Sequence, residues 1–578
     1  MANGHHAPLA ACVFLVCASV AATVVVYTAF PVSLNPCTYS LPRALIAVSG
    51  LDPYIVSCAG EVYTAPLSDG SGGKKKIGGP LMTSLRTCVK ATLPPNPLPP
   101  FYCCPPAPAS EPINFTLPDP AEPLRVRRPM HAVGAEHMAR YERAIALMRA
   151  LPHSDPRSLY QLANVHCAYC TGSYRQTGDP ELNVQIHFSW FFFPFHRAYL
   201  YFFERIAARL LGEPGFALPF WGWDVPEGMR MPAEFSNSSS PLYDPVRNPA
   251  HAPPTLVDLD FAHVENNLTD EQQVQQNLRI MYKQMIGNAA LPSLFYGQPF
   301  RAGQSDRPGP GTVELTPHNT MHTWTGDLTF HNVEDMGTYY SAGRDPLFYP
   351  QHSNIDRLWE AWRDVGAARG YRGHVDFTDS DWLDSSFLFY DEEARLVRIT
   401  VRDVLDIDKL RYRFDGVGMP WVDARPPPTP NVNRNKGSSS LKSVRFPLSL
   451  DAAVTVEVRR PRVLRSRREK EVREEVLVVE GIESDGTEMV KFDVYVNAMD
   501  YEKVEPSGRE LAGSYLCLSH PSMDGTGKGM RTETSMRVAL NELLEDLGAD
   551  GDESVTVTLV PRHGKVNIAG LKIVYMME

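Results

Sequence analysis

Three segments decide how this chain reads: QLANVHCAYCTGSY (161–174), VQIHFSWFFFPFHRAYLYFFERI (184–206) and ALPFWGWD (217–224). They set His166, His187 and His196, 21 and 9 residues apart, among aromatic and apolar neighbours, with Cys167 and Cys170 beside the first. An imidazole placed among Phe and Trp costs free energy unless its nitrogens are satisfied. A neutral imidazole is a borderline-soft donor that suits copper, zinc, iron or nickel. One such histidine reads best as a hydrogen-bonded core residue. Three in so apolar a stretch read better as a ligand set, with the aromatic side chains keeping bulk water off the metal.

A second set lies downstream. In ELTPHNTMHTWTGD (314–327), His318 and His322 are four residues apart and share one face of a helix. Pro317 suits a first helical turn, where a missing N–H costs nothing. Thirty residues on, GRDPLFYPQHSNIDRLWEAW (343–362) places His352 at the start of another helical pattern. A lone H-x-x-x-H is a weak signal. Two three-histidine sets in one chain, each bedded in aromatics, predict two metal sites.

At this point a family comes into view. HCAYC (166–170), IHFSWFFFPFHR (186–197), PFWGWD (219–224), PHNTMHTW (317–324), YSAGRDPLFYPQHSNIDRLW (340–359), DWLDSSFLFYDE (381–392) and KFDV (491–494) together resemble the plant polyphenol oxidases, or catechol oxidases. These are type-3 copper proteins, with the tyrosinases and haemocyanins. The likeness runs from about Cys88 to the C-terminus. It implies copper A on His166, His187 and His196, copper B on His318, His322 and His352, and a thioether joining Cys170 to His187. It implies oxidation of o-diphenols to o-quinones by dioxygen. Two copper(I) ions on neutral imidazoles leave room for dioxygen between them, whereas thiolate ligands would bias the site toward copper(I) and could themselves be oxidised. A haemocyanin-like oxygen carrier uses the same ligands and is the alternative, as is a metal-free secretory protein.

In the family, a Glu before the first copper B histidine and an Asn after it are thought to hold a water that deprotonates monophenols. Glu314 and Asn319 occupy those places, which extends the expectation to monophenol hydroxylation. Tyr339 falls at the gate position over copper A, usually Phe. Asp356, four residues after His352, is read as orienting a ligand or as pairing with Arg357. The chain departs from the pattern at Phe188, Phe195, Gln351 and Phe414, none of them a ligand.

The 578-residue length calls for more than one domain. A net charge of −11 and the lack of a basic block argue against nucleic acid. The one basic-rich run, RRPRVLRSRREKEVR (459–473), reads as a solvated hairpin. Residues 1–87 read as a targeting or anchor segment and leader, with 7–30 apolar enough to cross a bilayer as a helix. A cleaved signal is the competing reading. Sequons at Asn114, Asn237 and Asn267 favour the secretory pathway. The plastid thylakoid lumen is the alternative.

Residues 88–423 carry helical patterns and predict a mainly α catalytic domain, a four-helix bundle around the dicopper site. Residues 424–441 read as a Pro/Asn/Gly/Ser linker. Residues 442–578 alternate like strands and predict an all-β sandwich or barrel. By resemblance this domain shields the copper pocket until an activating protease cuts the linker, with Arg434, Lys436 and Lys442 accessible to it. Of ten cysteines, spacing alone fixes no pairing. The resemblance implies Cys88–Cys104 and Cys103–Cys167, and so an oxidising compartment. A zinc site at the Cys103-Cys104 pair is the alternative.

Overall fold

The computed structural model describes residues 77–99, 103–106, 110–305, 307–432, 444–520, 522–523, 529–530 and 532–577. Residues 7–30, read above as a membrane-crossing helix, and the second half of the linker lie outside these. Among the described residues, no helix is long and apolar enough to cross a membrane.

Six helices of seven residues or more build the described catalytic part. They are α1 (Gly134–Ala150), α2 (Leu159–Cys170), α3 (Phe192–Leu211), α4 (Asp270–Tyr282) and, near the second histidine set, α5 (Asn319–Thr325); a sixth, α6 (Phe348–Arg369), runs on from there. Local chemistry sets their ends. Ser158 caps α2 by accepting the Gln161 N–H. Thr269 and Gln272 close a capping box on α4. Gly212 and Gly370 end α3 and α6 in the left-handed region, at φ 72° and 71°, where a side chain would be disfavoured. The α6 helix starts four residues ahead of His352, so that ligand candidate sits a full turn inside it rather than at its beginning.

The core of this part is aromatic. All eight tryptophans are buried, and Phe193, Phe295, Trp359 and Trp362 stack or meet edge to face. Behind the bundle lies a buried ion network. Arg197 donates to Asp356 at 2.5 Å and Arg127 to Asp356 at 2.9 Å, while Arg125 and Arg127 both reach Glu204. Tyr412 donates to Asp356 as well.

Strand order begins earlier than the sequence suggests. The leader was expected to run to residue 87, but β1 (Thr83–Cys88) already pairs with β2 (Tyr174–Gln176), and β2 with β3 (Asp179–Asn183). Six residues carry too little alternation to be seen without the partner strand. Two further strands, β4 (Ser386–Tyr390) and β5 (Leu396–Thr400), form a buried hairpin behind α3.

The C-terminal part is a sandwich of two antiparallel sheets. Its strands are β6 (Leu448–Ser449), β7 (Val454–Arg459), β8 (Glu474–Ser484), β9 (Val490–Val496), β10 (Leu511–Cys517), β11 (Thr532–Ala539), β12 (Ser554–His563), β13 (Asn567–Ile568) and β14 (Gly570–Met576). One sheet runs β7-β12-β9-β10; the other runs β11-β8-β13-β6, with β14 also on β8. Alternate β-branched residues of both sheets meet in one core. The basic run is not a hairpin. Ser466 and Glu469 close a capping box, and Arg467–Val472 forms an exposed helical turn.

Candidate metal centre

His166 lies on α2, His187 in the irregular turn after β3, and His196 one turn inside α3. The Gln185 side chain shapes that turn: its Oε1 accepts the N–H groups of Ile186 and His187, each at 2.9 Å. His318 closes a wide turn, Glu314–His318, in which Thr316 leaves helical geometry (φ −146°, ψ 124°). His322 follows on α5 and His352 on α6. All six are at most 1 % exposed.

Within each set, one ligand atom per histidine lies within 4.8 Å of the others. The sets face each other, with the rings of His196 and His352 4.5 Å apart and those of His187 and His318 6.0 Å apart. Hydrogen bonds fix the tautomers of four rings. The Nδ1–H of His196 donates to Phe192 O (2.7 Å), that of His322 to Met336 O (2.6 Å) and that of His352 to Phe348 O (2.8 Å). His318 Nδ1–H donates to Asn319 Oδ1 (3.0 Å). Each Nε2 is then a bare lone pair. Yet His318 Nε2 stands 3.0 Å from His352 Nε2 and 3.1 Å from His322 Nε2. No proton remains to join them.

In the other set, both nitrogens of His166 and His187 and the Nε2 of His196 are buried without a partner. Burial pushes the pKa of all six down, that of His196 to about 3 and of His322 to about 4, so the rings are neutral. Lone pairs that converge with no proton between them in the second set, and buried nitrogens without a partner in the first, fit a cation on each, and the all-imidazole donor set fits copper.

The other candidate residues gather around the six. Glu314 is fully buried. Its Oε1 accepts the Phe188 N–H at 2.7 Å and its Oε2 has no partner. Burial raises its pKa to about 8, against the backbone N–H groups that favour the charge. Asn319 orients His318, and Tyr339 O–H reaches Asn319 Oδ1 at 3.4 Å. The Tyr339 ring lies 4.3 Å from that of His187. Cys170 is a buried thiol at the end of α2. Gln185 Nε2 donates to its carbonyl at 3.1 Å, drawing the His187 turn against that helix end. Disulfides join Cys88 to Cys104 and Cys103 to Cys167. Asp356, read from the sequence as a partner for a ligand or for Arg357, does neither: it is taken up by Arg127, Arg197 and Tyr412. Arg357 pairs with Asp224 instead.

The sandwich roofs this site. Asn319 Nδ2 donates to Leu516 O of β10 at 2.8 Å. Thr338 pairs with Ser519, and the Tyr515 ring meets Phe188 edge-on at 6.0 Å. His520, to which the sequence reading gave no role, is buried. Its Nε2 donates to Cys170 O, and its ring stands 5.6 Å from Tyr339. Phe188 and Leu315 of the catalytic part are packed into the core of the sandwich. Only the three-dimensional meeting of two distant segments reveals His520; nothing in its local sequence does.

Two facing, buried three-histidine sets set among helices define the tyrosinase-like class of type-3 copper proteins. Comparison with known proteins agrees. The common central domain of tyrosinase matches residues 156–365, the polyphenol oxidase middle domain 376–427, and the chloroplastic polyphenol oxidase C-terminal domain 446–575. Chloroplastic polyphenol oxidase of Malus domestica is 48 % identical over 502 residues, covering 84 % of this chain and 83 % of that one. Chloroplastic (+)-larreatricin hydroxylase of Larrea tridentata is 45 % identical, covering 82 % of each. The solved structure of latent apple tyrosinase superimposes with a TM-score of 0.75 at 49 % identity, covering 80 % of this chain and all of that one. The chain belongs to the plant polyphenol oxidase family, enzymes that oxidise phenols at a type-3 copper centre.

The secretory reading of the N-terminus is overturned. Both relatives are named chloroplastic, as is the matching C-terminal domain, and these point to the plastid. The error has a physical source. An apolar, charge-poor run reports only affinity for a bilayer, which is common to signals for several compartments, and sequons arise by chance.

Proposed function

We propose that the chain oxidises o-diphenols to o-quinones with dioxygen at two copper ions, one on His166, His187 and His196 and one on His318, His322 and His352. The supporting observation is the pair of facing triads, in which the inward Nε2 of His196, His318, His322 and His352 carry no proton and the nitrogens of His166 and His187 are buried without a partner. Copper, when bound there, supplies the two-electron reduction of dioxygen.

The chain's own residues do the rest. The carbonyls of Phe192, Met336 and Phe348, with Asn319, hold four rings by their Nδ1–H groups and keep each Nε2 aimed inward. Phe192 and Phe348, packed on His318 and His352, exclude water. Tyr339 covers His187. Glu314 Oε2 is unpartnered, and because burial pushes its pKa up to about 8, the carboxylate is a stronger base than an ordinary one only once it has given up its own proton. With Asn319 Oδ1 it can hold a water that takes the proton of a monophenol. A thioether from Cys170 to His187 would fix one of the two rings that no hydrogen bond holds.

In this reading, residues 88–423 are the catalytic domain, 424–441 the linker and 442–578 the shield. With Asn319 and Tyr339 under β10 and His520, the closed chain is latent, and proteolysis in the linker releases it. The test is metal analysis and oxidase assay of the full-length protein before and after limited trypsin. Two copper ions per chain and a rise in catechol oxidation on cleavage are expected. Fewer than one copper in folded protein, or no rise, overturns the reading. Tyramine turnover by the cleaved protein checks the hydroxylase part, and an intact mass about 2 Da below the sequence value, beyond the disulfides, checks the thioether.

A further inference from the structure

Two histidines outside the six meet across the seam between the catalytic part and the sandwich. His263 lies in the segment that leads into α4, and His563 ends β12. Their rings stand 4.5 Å apart, inclined by 59°. His318 and His322 show the same ring separation, 4.5 Å, and there it brings the two Nε2 atoms to 3.1 Å. The Nε2 of His263 is buried without a hydrogen-bond partner. Burial, with His563 and Lys491 beside it, holds the His263 pKa at about 4, so that ring is neutral. Lys491, the cross-strand neighbour of His563, is the cation closest to the pair. Its ammonium is committed to the carbonyl and carboxylate oxygens of Asp260. Arg562 is likewise committed, to Asp493 at 2.6 Å.

A buried imidazole nitrogen without a partner is costly. A second imidazole at ligand spacing supplies no acid to satisfy it, but the two together are a donor pair for a borderline divalent cation. Phe261, whose ring lies 5.9 Å from that of His263, closes one side. Among the described residues no third histidine, cysteine or carboxylate closes on the pair. The remaining coordination positions fall to water, which reaches half-buried His563. We propose that His263 and His563 form a further metal site, separate from the six-histidine centre, which takes a divalent cation of the zinc or copper(II) class and pins the sandwich to the catalytic part. Each part supplies one ligand, so the cation binds the closed chain in preference to the open one. A two-imidazole site holds metal less tightly than a closed four-ligand one, which suits a reversible latch. The site stands apart from the oxidase reading; its effect on latency rests on that reading.

The test titrates full-length, copper-loaded protein with zinc chloride, followed by calorimetry, melting temperature and copper content. One zinc per chain is expected with the copper retained, and a melting temperature higher by about 2 °C or more. His263→Asn and His563→Gln should each abolish both effects, and the double variant should do no more than either. Asn is chosen at 263 because the backbone there has φ 64°, which Asn tolerates. His331→Gln, at an exposed histidine, is the control and should bind zinc as the parent does. During limited trypsin, zinc should delay the rise in catechol oxidation by about fivefold or more in the parent and not in the seam variants. Gels should show the linker cut equally fast throughout. Zinc binding that is the same in the parent and both seam variants overturns the site. Binding lost in both variants, with no delay in the parent, overturns the latch. If trypsin raises no activity even without zinc, the shield reading fails, and calorimetry with the seam variants still decides the site.

Discussion

At the scale of single residues, the tautomers are the decisive feature. The bare Nε2 lone pair of His318 lies within hydrogen-bonding distance of those of both His322 and His352. Such an arrangement is repulsive without a cation. Copper removal is therefore expected to lower the melting temperature, since a ligand bound only by the folded chain stabilises it by mass action. Differential scanning of the metal-loaded and the stripped protein measures this. Replacing His318 by Ala should reduce copper from two ions to about one per chain while leaving the other set filled. Loss of both ions would show that the sets depend on each other.

These six residues were legible in the sequence because a metal set needs only one residue type at recurring, aromatic-flanked positions. Asp356 was misread because spacing of one turn places it beside His352 on the helix, and gives no sign that Arg127 and Arg197 compete for it. His520 was invisible because burial, not identity, makes it matter.

Among elements, α3 and α6 are locked to each other from behind. Arg197 follows His196 directly and Asp356 stands one turn after His352, so their 2.5 Å ion pair ties together the helices that carry one histidine of each set. Arg197 also lies 3.7 Å over the Trp359 ring. Changing Asp356 to Ala would leave Arg127 and Arg197 buried without this partner. The expected cost is about 3–5 kcal/mol of stability, measurable by urea unfolding of the metal-free protein. A loss below about 1 kcal/mol would mean that water replaces the carboxylate.

The helices and sandwich strands followed from periodicity. The Glu314–His318 turn and the Arg467–Val472 helix did not. The first breaks helical geometry at Thr316 to deliver Glu314, and the second is too short for a hydrophobic pattern.

For the molecule as a whole, the closed roof should be sensitive to acid. Burial under the roof holds His520 at about 3, and His263, whose ring lies 4.5 Å from that of His563 on β12, at about 4. Lys491 faces His263 as well, which adds to the depression. A histidine whose pKa is depressed in the closed state and ordinary in the open one favours closure fully above about 6.5. That contribution is lost as pH falls toward 4. Asp260 opposes them. Burial against β9 raises it to about 6, so it favours closure as it takes up a proton. Two histidines outweigh one carboxylate, and activity of the uncut chain should rise as pH is lowered from 6.5 to 4.5. Assays returned to one common pH after brief acid exposure would register it. Replacing His520 by Phe should flatten the response, and an unchanged profile would dismiss this account.

Beside side-chain pairs such as Arg425 with Asp546 and Tyr282 with Glu542, many contacts that hold the roof share one trait. Asn319 and Asn288 donate to the carbonyls of Leu516 and Ala512, Lys283 to those of Pro506, Gly508 and Leu511, His520 to that of Cys170, and Lys491 to that of Asp260. A grip made on the main chain is blind to which side chains it passes. Substitutions along the gripped segments can accumulate without opening the enzyme, so the sequence there is free to drift while restraint is inherited intact.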